Sequence, residues 1–188
     1  MQGDQLDLLG TLDRSPAQLD SATALLQLLD DWQANGWLRA LDRAFAGFLL
    51  EQAPDTGPAV LLAAALVSHQ LGHGHVCLDL AATLAEPDFA LSLPPEGESL
   101  IDTPLPSAVL AGVTLDSWRA ALQASRVVDS QQPEQGSCPL VLVGQRLYLR
   151  RYWQHERQGV SILHQRLQQP LPVAADLPAR LDALFAGS

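Results

Sequence analysis

The densest group of chemically reactive side chains in this 188-residue sequence lies in one short stretch, residues 68–77. The stretch contains three histidines and one cysteine: His69, His73, His75 and Cys77. Imidazole nitrogens and a thiolate are good zinc ligands, but structural zinc sites usually join two ligand pairs from different elements. We therefore interpret the stretch as a helix end at Gly72, a glycine-rich turn and a short extended segment with Cys77 in the core. We predict no metal ligand here.

A second group combines cationic and aromatic side chains late in the sequence. Its members are Arg146, Arg150, Arg151 and Arg157, interleaved with Tyr148, Tyr152 and Trp153. Such a mixture could hold phosphates and stack nucleic-acid bases. We favour inward-packing rings and arginines that stay in solvent or pair with Glu156, because most such rings are largely buried. The alternative is DNA contact through Arg146, Arg150, Arg151 and Trp153.

The composition excludes two classes of enzyme. All 11 basic residues are arginine, and the chain contains no lysine. A nucleotide-binding P-loop needs a lysine to reach the β- and γ-phosphates, and a Schiff-base enzyme needs a lysine amine. No G-x-S-x-G turn of a serine hydrolase occurs, and Gly72-His73-Gly74 lacks the third glycine of a dinucleotide loop. We predict no catalytic and no cofactor-binding residue in this chain.

Charged residues are unevenly distributed along the chain, whose formal net charge is −10. Residues 1–116 hold three arginines and 16 acidic residues, whereas residues 117–188 hold eight arginines and five acidic residues. This asymmetry indicates two parts with different partners. We expect a helical domain over residues 1–112 and a small α+β part over residues 113–188.

Hydrophobic periodicity predicts helices in the front part. Ser21 is the expected N-cap of the first helix. The second helix carries a predicted apolar stripe of Leu38, Leu41, Phe45, Phe48 and Leu49. The third helix, from Ala59 to about Gln70, follows Pro58 and is apolar nearly all round, which is typical of the buried centre of a bundle. Residues 86–106 hold five prolines, so we expect a loop with at most a short helix after Pro106.

The back part changes to strand-like patterning. After a helix over residues 115–124, two strands over residues 140–143 and 146–149 are predicted to flank a type II′ turn at Gly144-Gln145. Helices over residues 151–168 and 177–185 follow. The predicted fold class is mainly α: an N-terminal helical bundle, then a small α+β part with a β-hairpin in a two- or three-stranded antiparallel sheet. A winged-helix-like arrangement is an alternative for this later part.

The hydropathy pattern argues against a membrane protein. The longest apolar run, Ala59 to Val67, is far shorter than the roughly 20 residues of a membrane-spanning helix. The start of the chain is acidic and shows no export signal, so we expect a soluble, cytoplasmic protein with reduced thiols at Cys77 and Cys138.

Two stretches together resemble a known family. The first runs from Ala63 to His69 and continues from Gly74 to Leu78; the second is 142–149, followed by Trp153 and Glu156-Arg157. In this order they resemble the N-terminal domain of the RecD subunit, the alpha chain of exodeoxyribonuclease V, in the bacterial RecBCD helicase-nuclease. The resemblance spans about residues 58–186. It implies structural roles for the family-motif residues His69, His75, Cys77, Tyr148 and Glu156, whereas His73 departs from the family segment.

The resemblance also implies a function. RecD proteins are ATP-dependent 5′–3′ DNA helicases, but no motor motif has a match here, so we expect a non-catalytic fragment that ends near the start of the motor. ATP and magnesium would belong to that missing motor. The implied role is docking onto a RecC-like subunit, with DNA reached through the full complex in double-strand break repair. The alternative is an accessory module that guides the 5′-ended strand. Trp32, Trp37 and Phe48 could anchor a partner, although we favour the core for each.

Overall fold

A computed structural model describes residues 17–95 and 103–168 of the chain. The front part contains three long helices, which are α1 (Ala22–Ala34), α2 (Ala40–Gln52) and α3 (Pro58–Gly72). The hydroxyl of Ser21 accepts a hydrogen bond from the backbone N–H of Ala24 at 3.1 Å, which confirms Ser21 as the N-cap of α1. Pro58 is the first residue of α3, where its missing N–H costs no hydrogen bond.

Helix α3 is the centre of the core. Every residue from Val60 to Gln70 is buried, and α1, α2, α7 (Leu115–Ala124) and the sheet all pack around it. An α-helix that is apolar on all sides can be accommodated only where neighbours cover each side. The sequence prediction for this helix is confirmed.

The predicted apolar stripe of α2 is partly wrong. Leu41 is 65% exposed and Phe48 is 50% exposed, whereas Asp42, Ala46 and Leu49 are the buried residues of the helix. Helix α2 is therefore rotated relative to the prediction. The cause is that the carboxylate of Asp42 finds polar partners inside the bundle, so a charged residue takes a core position.

The proline-rich stretch contains more helix than expected. Helix α4 (Leu80–Ala85) comes directly before this stretch. Within the stretch, the structure describes residues 86–95, which contain α5 (Pro87–Leu91), and residues 103–106, where α6 (Pro106–Val109) begins. The short helix after Pro106 is confirmed, but α5 contradicts the prediction of a loop. Both α5 and α6 begin with proline, whose fixed φ suits the first helical position.

The back part contains three strands and a long helix: β2 (Val128–Asp129), β3 (Leu140–Val143), β4 (Arg146–Leu149) and α8 (Arg150–Gln168). The hairpin of β3 and β4 is confirmed. Gly144 has a φ of 62°, the positive value that a type II′ turn requires at its first central residue. The predicted helix over residues 177–185 lies outside the described residues.

The sheet differs from the expected antiparallel one, since β1 (Leu78–Asp79) from the front part makes it four-stranded in the order β1-β4-β3-β2. Strands β2 and β3 are parallel, and the other neighbours are antiparallel. Both edges of the hairpin are thus paired, so it is not the free wing of a winged helix. One face of the sheet packs on the helical core, and Val141, Tyr148 and Trp153 form a small second core.

The chain divides into two compact units, Met1–Trp153 and Gln154–Ser188. The main core runs from Leu25 to Leu147, so the domain boundary expected at residue 112 lies inside the first unit. The fold class of a mainly α protein with a small α+β part is confirmed. No helix in the described ranges is long and apolar enough to cross a membrane.

Candidate functional site

A buried polar cluster joins the start of α2 to α3. Arg39 is the N-cap residue of α2, and its Nε and Nη2 donate to the two carboxylate oxygens of Asp42 at 3.1 and 2.6 Å. The backbone N–H of Arg39 and the hydroxyl of Ser68 also donate to this carboxylate, at 3.0 and 2.7 Å. Arg39 Nη2 in turn reaches the backbone oxygen of Ser68 at 2.6 Å. The fully buried carboxylate therefore has a complete set of donors.

The electrostatics of this cluster favour the ionised form of Asp42. Burial alone would raise the pKa of Asp42, but the hydrogen bonds from Arg39 and Ser68 outweigh burial and hold that pKa below its usual value. The guanidinium group also lies against the backbone of Gly72, where an added Cβ would be 2.6 Å from Nη1. A side chain at position 72 would therefore displace the guanidinium group from this position.

His69 and Gln70 connect α3 to α5. The buried ring of His69 donates from Nε2 to the backbone oxygen of Leu91 at 2.8 Å, since a carbonyl can only accept. The amide nitrogen of Gln70 donates to the backbone oxygen of Ala90 at 2.7 Å. These two bonds satisfy carbonyl groups at the end of α5, so His69 has a structural position.

The four candidate metal ligands are not brought together. The rings of His69 and His73 lie 4.4 Å apart, but His73 and His75 are exposed, and Cys77 packs against the second core. Across residues 17–95 and 103–168, no three side chains of metal-binding type form a group. Of the family-motif residues, Tyr148 is buried in the second core and Glu156 is exposed.

We predict that His69 makes stability depend on pH near neutrality. Burial lowers the pKa of His69 below its usual 6.5, and the bond to Leu91 only partly opposes this effect. The unfolded chain therefore binds the proton first, and the free energy of unfolding should decrease as the pH falls below about 6.5. His69→Phe should remove this slope and cost about 1 kcal/mol at pH 8, measured by urea unfolding. His75→Gln, at an exposed position, is the control. The prediction would be contradicted if the free energy of unfolding of His69→Phe depended on pH as steeply as that of the wild type.

Arg150 forms a second internal cluster where α8 begins. Its guanidinium group donates to the carboxylate of Asp129, to the backbone oxygen of Pro133 and to that of Cys138 at 2.9 Å. Its Cζ lies 5.5 Å from the centre of the Trp153 ring, a cation–π contact. These contacts fasten the loop between β2 and β3 to the first turn of α8.

This cluster tests the prediction that the aromatic rings of the late Arg/aromatic segment pack inward. Tyr148 and Trp153 are 6% and 8% exposed, so inward packing is confirmed for these rings, but Tyr152 is 42% exposed. For Arg150, the prediction of an arginine that stays in solvent or pairs with Glu156 is wrong, because Arg150 pairs with Asp129 and is 13% exposed. The side chain of Arg150 is 13% exposed and Trp153 is 8% exposed, so both lie mainly inside the domain. Arg146 and Arg151 are exposed, and DNA contact by them stays a prediction.

A broad groove of about 1430 Å³ opens between the C-terminal end of α3, β1 and α5, and we call it the α3–β1 groove. The residues that define it here are Arg39, His73, Val76, Asp79, Phe89 and Arg146. Val76 and Phe89 are exposed apolar residues. The groove therefore combines cationic groups with apolar surface.

A second surface feature is the α2 strip, defined as the exposed residues Leu41 and Phe48 together with Phe45, which is partly buried against the main core. The spacing of four and three residues places them on one side of α2. Trp32 and Trp37 are buried as predicted, but the prediction of a core position for Phe48 is wrong. Hydrophobic periodicity alone does not reveal the strip, because it places Leu41 and Phe48 on the core-facing side of α2 together with Phe45.

These observations define the class of the protein as a mainly α domain whose buried polar groups connect helices. The chain belongs to the family described as RecBCD enzyme subunit RecD, N-terminal domain, whose family model matches residues 34–148, more than half of the chain. The match confirms the resemblance and begins before the expected position 58, so it includes all of α2. The family relates the chain to the RecBCD complex and to DNA repair and recombination. A comparison with curated proteins found no match.

Proposed function

We propose that this domain is the non-catalytic docking domain of a RecD-like helicase subunit and holds that subunit to a RecC-like partner. The α2 strip is the observation that supports the proposal. Two of its residues, Leu41 and Phe48, are at least half exposed on a helix whose other side packs into the core through Ala46 and Leu49. Large exposed apolar groups grouped on one side of a helix are typical of protein–protein contact.

The charges around the α2 strip indicate the kind of partner surface. Glu51, three residues after Phe48 at the end of α2, is exposed and forms no salt bridge within residues 17–95 and 103–168. Arg43 lies on the other side of α2 and is already paired with Asp30 at 2.6 Å. A complementary partner would present an apolar pocket with basic residues at its rim, which sets register and association rate.

The proposal assigns the chemistry of the complex to other parts. ATP hydrolysis with magnesium, and 5′–3′ movement on DNA, would belong to a helicase motor that no motif in this chain represents. DNA would be reached through the assembled complex during repair and recombination. The second candidate, a module that guides the 5′-ended strand, depends on the exposed arginines Arg146 and Arg151.

We expect the chain to bind the RecC-like subunit of the same organism, and the double variant Leu41→Ala, Phe48→Ala to weaken that binding at least about tenfold. The affinity is measured by biolayer interferometry on the purified subunits. Val143→Ala is the matched control because Val143 is also an exposed apolar residue, at 46%, but belongs to strand β3 and not to α2.

Two outcomes would contradict the docking proposal. One is the absence of binding by the wild-type chain at micromolar concentration. The other is unchanged binding by the double variant while circular dichroism shows an intact fold. Salt-dependent binding to single-stranded DNA that is lost in Arg146→Gln, Arg151→Gln would instead support the guiding module.

A further inference from the structure

We propose that the apolar side of α8 is the docking surface for the segment of this chain that follows it, residues 169–188, and that the two pack as a helical hairpin. We call this apolar side the α8 stripe and define it as Val160, Leu163 and Leu167. The inference goes beyond the docking proposal, because it concerns the second compact unit, Gln154–Ser188, and no residue of α2.

The α8 stripe is a large apolar surface on the outside of the described residues. Val160, Leu163 and Leu167 are 63%, 62% and 85% exposed. Their spacing of three and four residues places them on one side of the helix, the pattern of a helix that packs in an apolar groove. A stripe of this kind is typical of a helix that is covered by a neighbour.

The sequence of α8 supports a helix only weakly without such a cover. Its central residues 159–162 are glycine, valine, serine and isoleucine. Glycine and β-branched residues are poor helix formers, and an isolated helix of about 15 residues is marginal in water. All side chains from residue 154 to residue 168 are exposed, so no contact of theirs with the described core supplies the missing stability. Packing against another segment is therefore needed to stabilise this part of α8.

The segment after α8 carries a matching apolar pattern. Leu177, Leu181 and Leu184 are spaced by four and three residues, so they lie on one side of the helix predicted over residues 177–185. Asp176, directly before them, is a residue type favoured at a helix N-cap. The second unit thus contains two apolar stripes, one of which is exposed on α8, and each can cover the other.

The length of the connection allows the segment to turn back along α8. Pro170 and Pro172 prevent α8 from continuing. Residues 169–176 can span up to about 26 Å, whereas the axes of packed helices are about 8–10 Å apart. A helix over residues 177–185 would be about 13 Å long, and the α8 stripe is about 10 Å long. The two apolar surfaces therefore match in length.

The charges favour this segment over a second copy of α8. Residues 154–168 hold two arginines and one glutamate, a formal charge of +1, whereas residues 169–188 hold two aspartates and one arginine, a formal charge of −1. Two copies of α8 would bring together surfaces of the same sign. Pairing with residues 169–188 brings together surfaces of opposite sign.

The test measures amide hydrogen exchange of residues 154–168 in the full chain. We expect Leu163→Asp, and separately the double variant Leu181→Asp, Leu184→Asp, to speed this exchange at least about tenfold, because either change opens the hairpin. The variant that combines all three substitutions should exchange no faster than the double variant, because the same contact is already lost.

The matched controls introduce the same charges away from the stripes. Ile162→Asp lies next to Leu163 on α8 and is also exposed, at 51%, but about half a turn away from the stripe. Ala179→Asp, Ala183→Asp lies on the opposite side of the predicted helix from the leucines. Both controls should leave the exchange of residues 154–168 within about twofold of the wild type.

Three results would overturn the proposal. The first is exchange of residues 154–168 in the wild type at the rate of an unstructured peptide, and the second is equal acceleration in the stripe variants and the controls. The third is protection that rises with protein concentration together with a dimer mass in light scattering, since a second copy would then cover the stripe.

The contribution of a partner is separated from that of the segment by the same measurement. Protection of residues 154–168 that develops only when the RecC-like subunit is added would assign the α8 stripe to that subunit and overturn the hairpin. Binding to the subunit is measured on the α2 strip variants, so failure of either proposal can be recognised without the other.

Discussion

Replacing Trp32 with alanine is expected to lower the free energy of unfolding by about 4 kcal/mol, the largest effect of any single substitution considered. The indole is fully buried, lies 6.1 Å from the ring of Trp37 and donates from Nε1 to the backbone oxygen of Pro104 at 2.9 Å. The alanine variant would leave a cavity and an unsatisfied carbonyl group. Both losses act on the folded state without any partner.

Phe48→Ala is the matched comparison, because it also removes a large aromatic side chain, but from a half-exposed position. Phe48 is half exposed, so its removal should cost less than about 1 kcal/mol. Urea unfolding followed by far-ultraviolet circular dichroism measures both variants. Equal losses of stability would show that Phe48 is also a core residue, and would remove the support of the docking proposal along with the stability prediction.

The parts of the fold that the sequence predicts are those stabilised by neighbours along the chain. Helix α3 is recognisable because its apolar residues cover all sides, and the hairpin is recognisable because Gly144 allows the turn between two short apolar strands. The Ser21 cap depends on a contact only three residues away. Local propensity and periodicity are sufficient for such elements.

The parts that could not be predicted depend on partners far apart in sequence. Strand β1 has only two residues and exists because Leu78 and Asp79 pair with Leu147 and Arg146 of β4. No periodic pattern marks so short a strand. The parallel pairing of β2 with β3 likewise follows from the path of the intervening loop, which Arg150 holds through the backbone oxygens of Pro133 and Cys138.

In the candidate sites too, contacts between residues close in sequence could be predicted and contacts between distant residues could not. Arg39 and Asp42 are three residues apart, so their capping interaction at the start of α2 carries a local signal. The hydroxyl of Ser68, 26 residues from Asp42, completes the cluster and is invisible to a search by spacing. The α2 strip was misassigned for this reason, because hydrophobicity alone places Leu41 and Phe48 inside and Asp42 outside.

Asp42→Ala is expected to lower the free energy of unfolding by about 3 kcal/mol, although it replaces a charged residue with an apolar one in a core position. The carboxylate accepts four hydrogen bonds, three of them from Arg39 and one from Ser68. Its removal leaves the hydroxyl of Ser68 and part of the guanidinium group without an acceptor. Asp30→Ala is the matched control: it breaks the exposed pair with Arg43 and should cost less than about 1 kcal/mol.

The pH dependence separates the charge of Asp42 from its shape. Because the pKa of Asp42 is lowered from 3.8 in the folded protein, its contribution should be complete above about pH 4. It should then be lost as the pH falls through the lower pKa of the folded state. Asp42→Asn keeps the shape of the side chain but not its charge. The free energy of unfolding of this variant, measured with urea, should therefore be lower than that of the wild type by a constant amount from neutral pH to pH 4, and the difference should shrink below pH 4. A difference that grows on acidification would mean that the carboxylate is protonated in the native bundle, contrary to its hydrogen bonds with Arg39.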